Sequence, residues 1–566
     1  MATAVALGQA SRAPFLFDDL SAIVRNPTIA RLWPAEIPLT PPANSPVAGR
    51  PASNYSLALS AALDRVIGTP GEPLGFHLMN IALHLASGLL LFGVLRRTLR
   101  HRTGGELAPA SEFLALGVAA IWLLHPLQTE AVDYLTQRTE LLVSFCYFAV
   151  MYCSIRAWDA DPSRGGWWYV VGVVACTVGM ASKEVMISAP IVVVLYDVAF
   201  RLRSWRDIAT IATGRKVFYV GLAATWLLLA ALVIGSPRTA AGAGELTPLD
   251  YLHTQGWAVL RYLRLVVWPV GLSVDYGMRG VGAWQGLPGL TVLAVLAVGT
   301  IRAWRTPATR WLGFCGAWFF LLLAPSSSVV PVPAEVAAER RIYLALAAVL
   351  VALVFGGAVL LRRIWPGATA APVRRRCALG GGIMVTALAA CFVLTGRRSA
   401  EYNDPEALWH GAVTVRPDNA RALNNLASVI GDASTDRAAE ATALFHAAVA
   451  ADSSYTPALF NLSVAELQDG HFDRAEVLLR RVTTLDPDDE PALLKLGTLL
   501  FARGALEQAA VPLVRATTLV PGDADAHAAL GLVELRRGDS TAANRELRTA
   551  LDLDPQNAVA RAAMKP

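Results

Sequence analysis

An all-α chain in two parts is predicted: a polytopic helical membrane domain followed by an α-solenoid. Three observations predict it. Of the 566 residues 54% are hydrophobic and only 16% charged, with a mean hydropathy of +0.44, where soluble domains carry about 25% charged residues. The long apolar stretches all lie before residue 398. Beyond residue 400, several residue types recur every 34 positions. The net charge of +5 is small, and nothing in the composition points to nucleic acid as a partner.

Three segments follow: 1–75, a first hydrophilic loop; 76–398, the membrane domain; and 401–566, the repeats. The opening "MATAVALGQASRAP" has no basic n-region and too short an apolar core for a signal peptide. It is also too short to span a bilayer, which takes roughly 20 apolar residues. Next, "FLFDDLSAIVRNPTI" places adjacent carboxylates at Asp18 and Asp19. About ten candidate spans follow, each near the length a bilayer requires. They centre on 76–95, 113–128, 140–156, 167–181, 185–200, 217–235, 287–303, 311–327, 341–361 and 377–395. "YLHTQGWAVLRYLRLVVWPVGL" carries Arg261 and Arg264, which favours a surface-lying or re-entrant helix.

Positive charge sets the orientation. Five alternate loops, from "RRTLRHRTGG" to "LRRIWPGATAAPVRRR", hold 19 Lys and Arg and are expected in the cytoplasm. The Asp18/Asp19 loop and the repeats are then outside. With ten spans Met1 also lies outside, with nothing to carry it there. The expectation is either that a first transmembrane helix precedes this start or that the terminus is an unusual leaderless one. The six cysteines have no metal-ligand spacing and read as small packing residues.

In the tail, Gly470, Gly504 and Gly538 are 34 apart, as are Leu462, Leu496 and Leu530; Ala475, Ala509 and Ala543; and Pro487, Pro521 and Pro555. This is the tetratricopeptide period: two helices per repeat, small residues where they cross, proline at the turn between repeats. A diverged unit over 405–452 makes about four repeats. Such an array is either a spacer or a concave surface that grips a peptide.

Polar and ionisable groups at a membrane are costly and need a reason. Those on the expected outer side are Asp18, Asp19, Arg50, His77, Asn80, His84, His125, Glu130, Arg138, Lys183, Glu184, Asp275, Tyr276, Glu339, Arg340 and Arg341. Each also has a plainer reading. The aspartates could cap a helix. His77, Asn80 and His84 share a helical face and more readily bond across helices than bind a ligand. Lys183 and Glu184 could pair with each other. No third ligand completes a metal site, although the adjacent aspartates leave a divalent cation open. As one chamber, the cluster suits sugar transfer from a polyprenyl phosphate. A carboxylate takes the acceptor hydroxyl's proton, and arginines stabilise the departing phosphate.

The order of "FDDLSAIVRNPTI", "RPASNYSLALSAAL", "GFHLMNIALHL", "LHPLQTEAVDYLTQRTELL", "SKEVMISAPIVVVLYD", "RYLRLVVWPVGLSVDYG" and "AERRIYLAL", with the repeats after them, resembles the transmembrane and tetratricopeptide-repeat O-mannosyltransferases of the GT-C glycosyltransferase class. The resemblance covers nearly the whole chain. It implies a GT-C fold, a polyprenyl-phosphate sugar donor (a mannose or another hexose), and a repeat domain outside the cytoplasmic membrane. It also implies a catalytic base in the first loop, where Asp18 and Asp19 match. Arg50, Arg138, Arg340 and Arg341 match basic positions and are assigned to the donor phosphate. His77, Asn80, His84, His125, Glu130, Lys183, Glu184, Asp275, Tyr276 and Glu339 are assigned to the acceptor side or to structure. The absent first helix departs from the family pattern. High Ala, Arg and Gly usage looks bacterial, so the donor would be an undecaprenyl- or decaprenyl-phosphate sugar in the inner membrane. The acceptor would be a protein or envelope glycan, held by the repeats. Two other classes stay open: a non-catalytic membrane-anchored scaffold and a lipid-glycan transporter.

Overall fold

The computed structural model describes residues 1–43, 45–102, 109–160, 165–202, 205–211, 213–235, 246–327, 335–366 and 369–564. Two compact units divide the chain, Met1–Gly411 and Ala412–Pro566. Among the described residues every regular element is helical.

The first unit contains, in order, α1 (Ala2–Leu7), α2 (Pro51–Ile67), α3 (Leu74–Arg102), α4 (Pro109–Leu124), α5 (Thr129–Asp133), α6 (Arg138–Asp159), α7 (Gly166–Met180), α8 (Ala189–Phe200), α9 (Thr213–Gly235), α10 (Pro248–Val267), α11 (Ala283–Arg305), α12 (Arg310–Leu323), α13 (Leu346–Ile364) and α14 (Ala370–Glu401). Six helices are long and apolar enough to cross a membrane: Leu74–His101, Leu135–Asp159, Thr213–Gly235, Ala283–Arg305, Leu346–Ile364 and Ala370–Glu401. A further apolar pair, Ser111–Leu124 and Pro126–Asp133, meets at 53° and forms a broken span or a re-entrant loop. Proline causes the break. The residue before a proline is driven out of the helical region, and His125 is extended at φ −72, ψ 131, its side chain accepting from Leu127 N–H. This is a multi-pass membrane protein.

The remaining three of the ten expected spans are helical but short, at 15 (α7), 12 (α8) and 14 (α12) residues. At 1.5 Å per residue each falls well below a hydrocarbon core of about 30 Å. α7 and α8 are cut short by the polar turn at Ser182, Lys183 and Glu184. In the apolar windows of α11 and α14 only 11% and 6% of residues are buried, so these helices turn their side chains to lipid. The segment with Arg261 and Arg264 forms α10. Both arginines fold back onto carbonyls just past its end, Arg261 onto Gly271 O (2.6 Å) and Arg264 onto Val270 O (2.8 Å).

Residues from three polar turns, 136–140, 183–185 and 335–341, come together with Asp18 and Arg50 of the first loop around one cavity. α1 and the helical turn after it pack on the last turns of α14: Ser399 Oγ donates to Leu7 O (3.1 Å) and accepts from Ala10 N–H (3.2 Å).

In the second unit the helices pair as α16 (Ala420–Ala433) with α17 (Ala438–Ala451), α18 (Thr456–Gln468) with α19 (Phe472–Leu485), α20 (Glu490–Ala502) with α21 (Leu506–Leu519), and α22 (Ala524–Arg537) with α23 (Ser540–Leu553). α15 (Pro405–Val415) precedes the pairs and α24 (Ala558–Ala563) follows them. The 34-residue period has a physical cause at each recurring position. Gly470, Gly504 and Gly538 close the first helix of their repeats at φ +77, +78 and +89, where a Cβ is disfavoured. Asp489, Asp523 and Asn557 cap the next repeat through Ala492, Ala526 and Ala560 N–H (3.0, 3.2 and 3.0 Å). Leu479 and Leu513 fill the core between repeats, and Leu547 closes it against α24.

Candidate active site

The first loop turns back on itself at Phe17. This residue has φ +46, the one positive φ of a non-glycine among the described residues, a backbone state that costs a side-chain-bearing residue about 1–2 kcal/mol. Its ring is held edge-on by Tyr134 (centroids 5.4 Å apart) and Trp409 (4.7 Å). The turn sends the two aspartates in opposite directions. Asp19 points inward and is 1% exposed. Its Oδ1 accepts from Thr136 N–H (2.7 Å) and from the Thr136 hydroxyl, and its Oδ2 from Leu16 N–H (3.0 Å). Burial pushes its carboxyl up to about 7, against those hydrogen bonds, which pull it down. Asp18 points outward, its backbone N–H donating to Tyr134 Oη (3.1 Å).

Asp18 faces a cavity of about 680 Å³. The same cavity is lined by Arg50, Lys183, Arg340 and Arg341, and by Glu140, Glu184 and Glu335. Four cations and four carboxylates thus share one opening. Three of the cations are paired: Arg50 with Glu184 (3.2 Å), Lys183 with Glu140, and Arg340 with both Glu130 and Glu335. Arg340 is locked further, since its backbone N–H also donates to Glu130 Oε2 (2.8 Å). Burial pulls its guanidinium down, but Glu335 and Glu130 outweigh it and hold the group well above the usual arginine range. Arg341 differs. Its described hydrogen bonds go to neutral oxygens: Glu335 O (2.7 Å), Ser326 O (3.1 Å), Val336 O (3.3 Å) and Tyr251 Oη (3.4 Å). It brings positive charge to the cavity without a carboxylate partner among the described residues.

Other residues singled out from the sequence lie outside this cavity. Arg138, expected at a phosphate, is fully buried. It donates to Asn80 Oδ1, Phe76 O (2.8 Å), Ser60 Oγ (3.0 Å) and Ser56 O (3.1 Å), tying α6 to α2 and α3. Every described donor is spent on protein. His77 contacts Ala13 O (3.5 Å), and Asn80 Nδ2 donates to Val132 O (2.9 Å). His84 Nε2 lies 3.0 Å from Leu123 O and must donate there, so Nδ1, 2.7 Å from Tyr343 Oη, accepts. His125 bridges Leu127 N–H and Val266 O (3.0 Å). These histidines and Asn80 are cross-helix braces. Asp275, Tyr276 and Glu339 form a separate buried network. Tyr276 Oη (2.5 Å) and Ser273 N–H (2.7 Å) donate to Glu339 Oε1, and Asp275 Oδ1 accepts from Gly277 N–H (2.8 Å). Burial pushes Glu339 up to about 7. Glu130 stands behind the cavity wall as the anchor of Arg340.

Sequence reasoning did not single out Tyr134, Thr136, Glu140 or Glu335. The first three lie within "DYLTQRTE", beside the already notable Arg138, and their spacing from it was the available signal. Asp19 spends its oxygens on Thr136 and Leu16 N–H, whereas Asp18 lines the cavity. Among the described residues no three His, Cys, Asp or Glu side chains come together as metal ligands.

A tetratricopeptide-repeat family model matches residues 434–500 and 466–533. Protein O-mannosyl-transferase Tmtc2 of Drosophila melanogaster is 29% identical over 288 residues, 47% of this chain and 28% of that protein. Tmtc3 of the same organism is 26% identical over 419 residues (63% and 44%), and TMTC4 of Mus musculus 23% over 487 (75% and 62%). The chain spans less than two thirds of the length of each of these relatives. Among solved structures, YrrB, a tetratricopeptide protein with an unusual peptide-binding site, has a TM-score of 0.26 at 21% identity, covering 35% of this chain and 93% of that one. The chain is a relative of the tetratricopeptide-repeat O-mannosyl-transferases.

Proposed function

We propose that this relative of the O-mannosyl-transferases moves a mannose or another hexose from a polyprenyl-phosphate donor to a hydroxyl of a protein, outside the cytoplasmic membrane of a bacterium. The observation that carries the reading is Asp18 facing Arg341, Arg340, Arg50 and Lys183 across one cavity.

The chemistry follows from the charges. Asp18 takes the proton of the acceptor hydroxyl as its oxygen attacks the anomeric carbon. The bond from that carbon to the phosphate oxygen breaks, and its electron pair leaves on the lipid phosphate. The phosphate gains negative charge at that moment, and fixed cations aimed at it stabilise the transition state more than the ground state. Arg341 suits this role because its guanidinium is held in place by neutral oxygens and keeps its full charge for a ligand. Arg340, Arg50 and Lys183 complete the cradle while their carboxylates hold them in position. Asp19 is a positioning residue, pinning the turn that presents Asp18. Attack from the face opposite the phosphate makes the reaction inverting. The repeats, a fold that offers an extended concave face, would hold the acceptor chain.

The test uses full-length protein in nanodiscs, given a polyprenyl-phosphate mannose and a Ser/Thr-containing acceptor. Asp18→Asn should lose about 10²- to 10⁴-fold in transfer, the usual contribution of a general base, with expression and thermal unfolding unchanged. Arg341→Ala should weaken donor binding in a lipid-phosphate competition assay. Full transfer by the Asp18→Asn protein would sink the reading.

A further inference from the structure

The ring of Phe17 meets two other rings, and they come from far apart in the chain. Phe15, just before it, lies edge-on to Phe76 (centroids 6.0 Å apart). Ala22 and Ile23, just after it, belong to a buried apolar core with Leu57, Phe76 and Leu135. The turn at Phe17 therefore sits between two anchored segments. Its own anchors are Tyr134, which follows α5, and Trp409 on α15. Tyr134 has a second contact, since its Oη accepts from Asp18 N–H. Trp409 is buried, and the start of its helix is fixed. Asp404 Oδ1 accepts from Glu406 and Ala407 N–H (3.1 Å each). Asn403 Nδ2 donates to Gln9 O (2.7 Å), which ties the approach to α15 to the segment that precedes Phe17.

A left-handed backbone state is unfavourable for a residue with a side chain, and it persists only where the surroundings over-determine it. An edge-on aromatic pair contributes an amount comparable to that cost. Two pairs hold Phe17 in place, and with one removed the balance shifts toward an ordinary φ. Rotation about φ at Phe17 swings the chain that follows, and the next residue is Asp18. Asp19 fixes the residue after Asp18 through Thr136 and Leu16 N–H; the two rings fix the residue before it.

We propose that Trp409 and Tyr134 are positioning residues for sugar transfer: they hold Phe17 in its left-handed state and so aim Asp18 into the cavity. The proposal rests on the reading of Asp18 as the base. Core packing alone would also bury Trp409, but it gives no reason for the one non-glycine residue of positive φ among the described residues to touch both rings. The chain passes from α15 into the repeats, so the base is aimed in part by the helix that leads to them.

The test measures transfer by the full-length protein in nanodiscs. Trp409→Leu keeps an apolar side chain without a ring. Its kcat should fall about 10- to 100-fold, the scale of a misplaced reacting group, while the KM for the polyprenyl-phosphate mannose stays within about 2-fold. Trp409→Phe should recover most of the rate. Tyr134→Phe keeps the ring and removes the acceptor of Asp18 N–H, and should lower kcat about 5-fold. Because Trp409 acts through Asp18, adding Trp409→Leu to Asp18→Asn should cost less than about 2-fold more. Losses that multiply in the double variant would overturn the proposal, as would a folded Trp409→Leu protein with unchanged kcat, or a Trp409→Phe protein as slow as Trp409→Leu. If Trp409→Leu does not fold, Tyr134→Phe decides, and an unchanged kcat there overturns the proposal. Any of these results beside a crippled Asp18→Asn protein leaves the reading of the base standing; full transfer by Asp18→Asn removes that reading and the proposal with it.

Discussion

Arg480 of the repeat unit bonds to Glu476 one helical turn away (2.7 Å) and to Gln508, 28 residues on (3.0 Å), and stays half exposed. Asn557 reaches Asp525, 32 residues back (2.7 Å). In the membrane unit the reach is longer and the burial deeper. Asp19 meets Thr136 across 117 residues, Arg50 meets Glu184 across 134, and Arg340 meets Glu130 across 210. A repeat residue answers to its own repeat or the next, so its environment recurs with the period. A charged residue in the membrane unit is tolerable only because a partner from a distant part of the chain has been brought to it. Charge in the repeats is therefore mostly surface chemistry, while charge in the membrane unit holds the helices together and shapes the cavity.

Substitutions can break or sharpen that contrast. The largest stability effect should come from Arg138→Ala. It strands the buried Asn80 Oδ1, which costs about 1–3 kcal/mol when left unpaired, and removes the guanidinium that ties α6 to α2 and α3, leaving a cavity in the core. A loss of about 3 kcal/mol or more should appear as a lower unfolding temperature of the membrane unit in detergent. Its failure to appear would mean that the buried network is not structural.

Asp19→Asn comes next. The new amide can accept from Thr136 but cannot also accept from Leu16 N–H, which costs about 1–3 kcal/mol. Transfer should fall about tenfold, well short of the loss expected for Asp18→Asn, and chiefly in kcat. A pH dependence separates the two roles. The Asp19 carboxyl is raised from 3.8 to about 7 by folding, so between those values the native state binds more protons than the unfolded one. Its contribution to stability is full below about pH 4 and is lost as pH rises through about 7. Melting curves of the unaltered protein should carry this downward slope, and Asp19→Asn should remove it.

In the repeats the effects should be smaller. Gly504→Ala puts a Cβ at φ +78 and should cost about 1–2 kcal/mol, read as earlier loss of repeat helicity on heating. Arg480→Ala removes an exposed i,i+4 pair and should change stability by no more than about 0.5 kcal/mol. If Arg480→Ala proved as damaging as Arg138→Ala, the contrast between the units would fail.

Much of this was legible in the chain itself. Period, helix-closing glycines and capping Asp or Asn lie within one repeat of each other, so Gly470, Gly504 and Gly538 announce the solenoid without any fold in hand. Hydropathy likewise marks every membrane helix, because crossing a bilayer is a demand on each segment alone. Span length was less legible: ten apolar stretches became six helices long and apolar enough to cross, one bent pair and three short helices, since where a helix stops depends on the turn that receives it. Among the site candidates, the sequence could nominate a pool of acids and arginines but could not sort it. Asp18 and Asp19 are neighbours with the same chemistry, and only the turn at Phe17 sends one into the cavity and the other into the core. Arg138 and Arg341 are equally basic as letters. One is consumed by four protein acceptors and the other keeps its charge at the cavity wall, because their neighbours come from parts of the chain that only tertiary packing brings near.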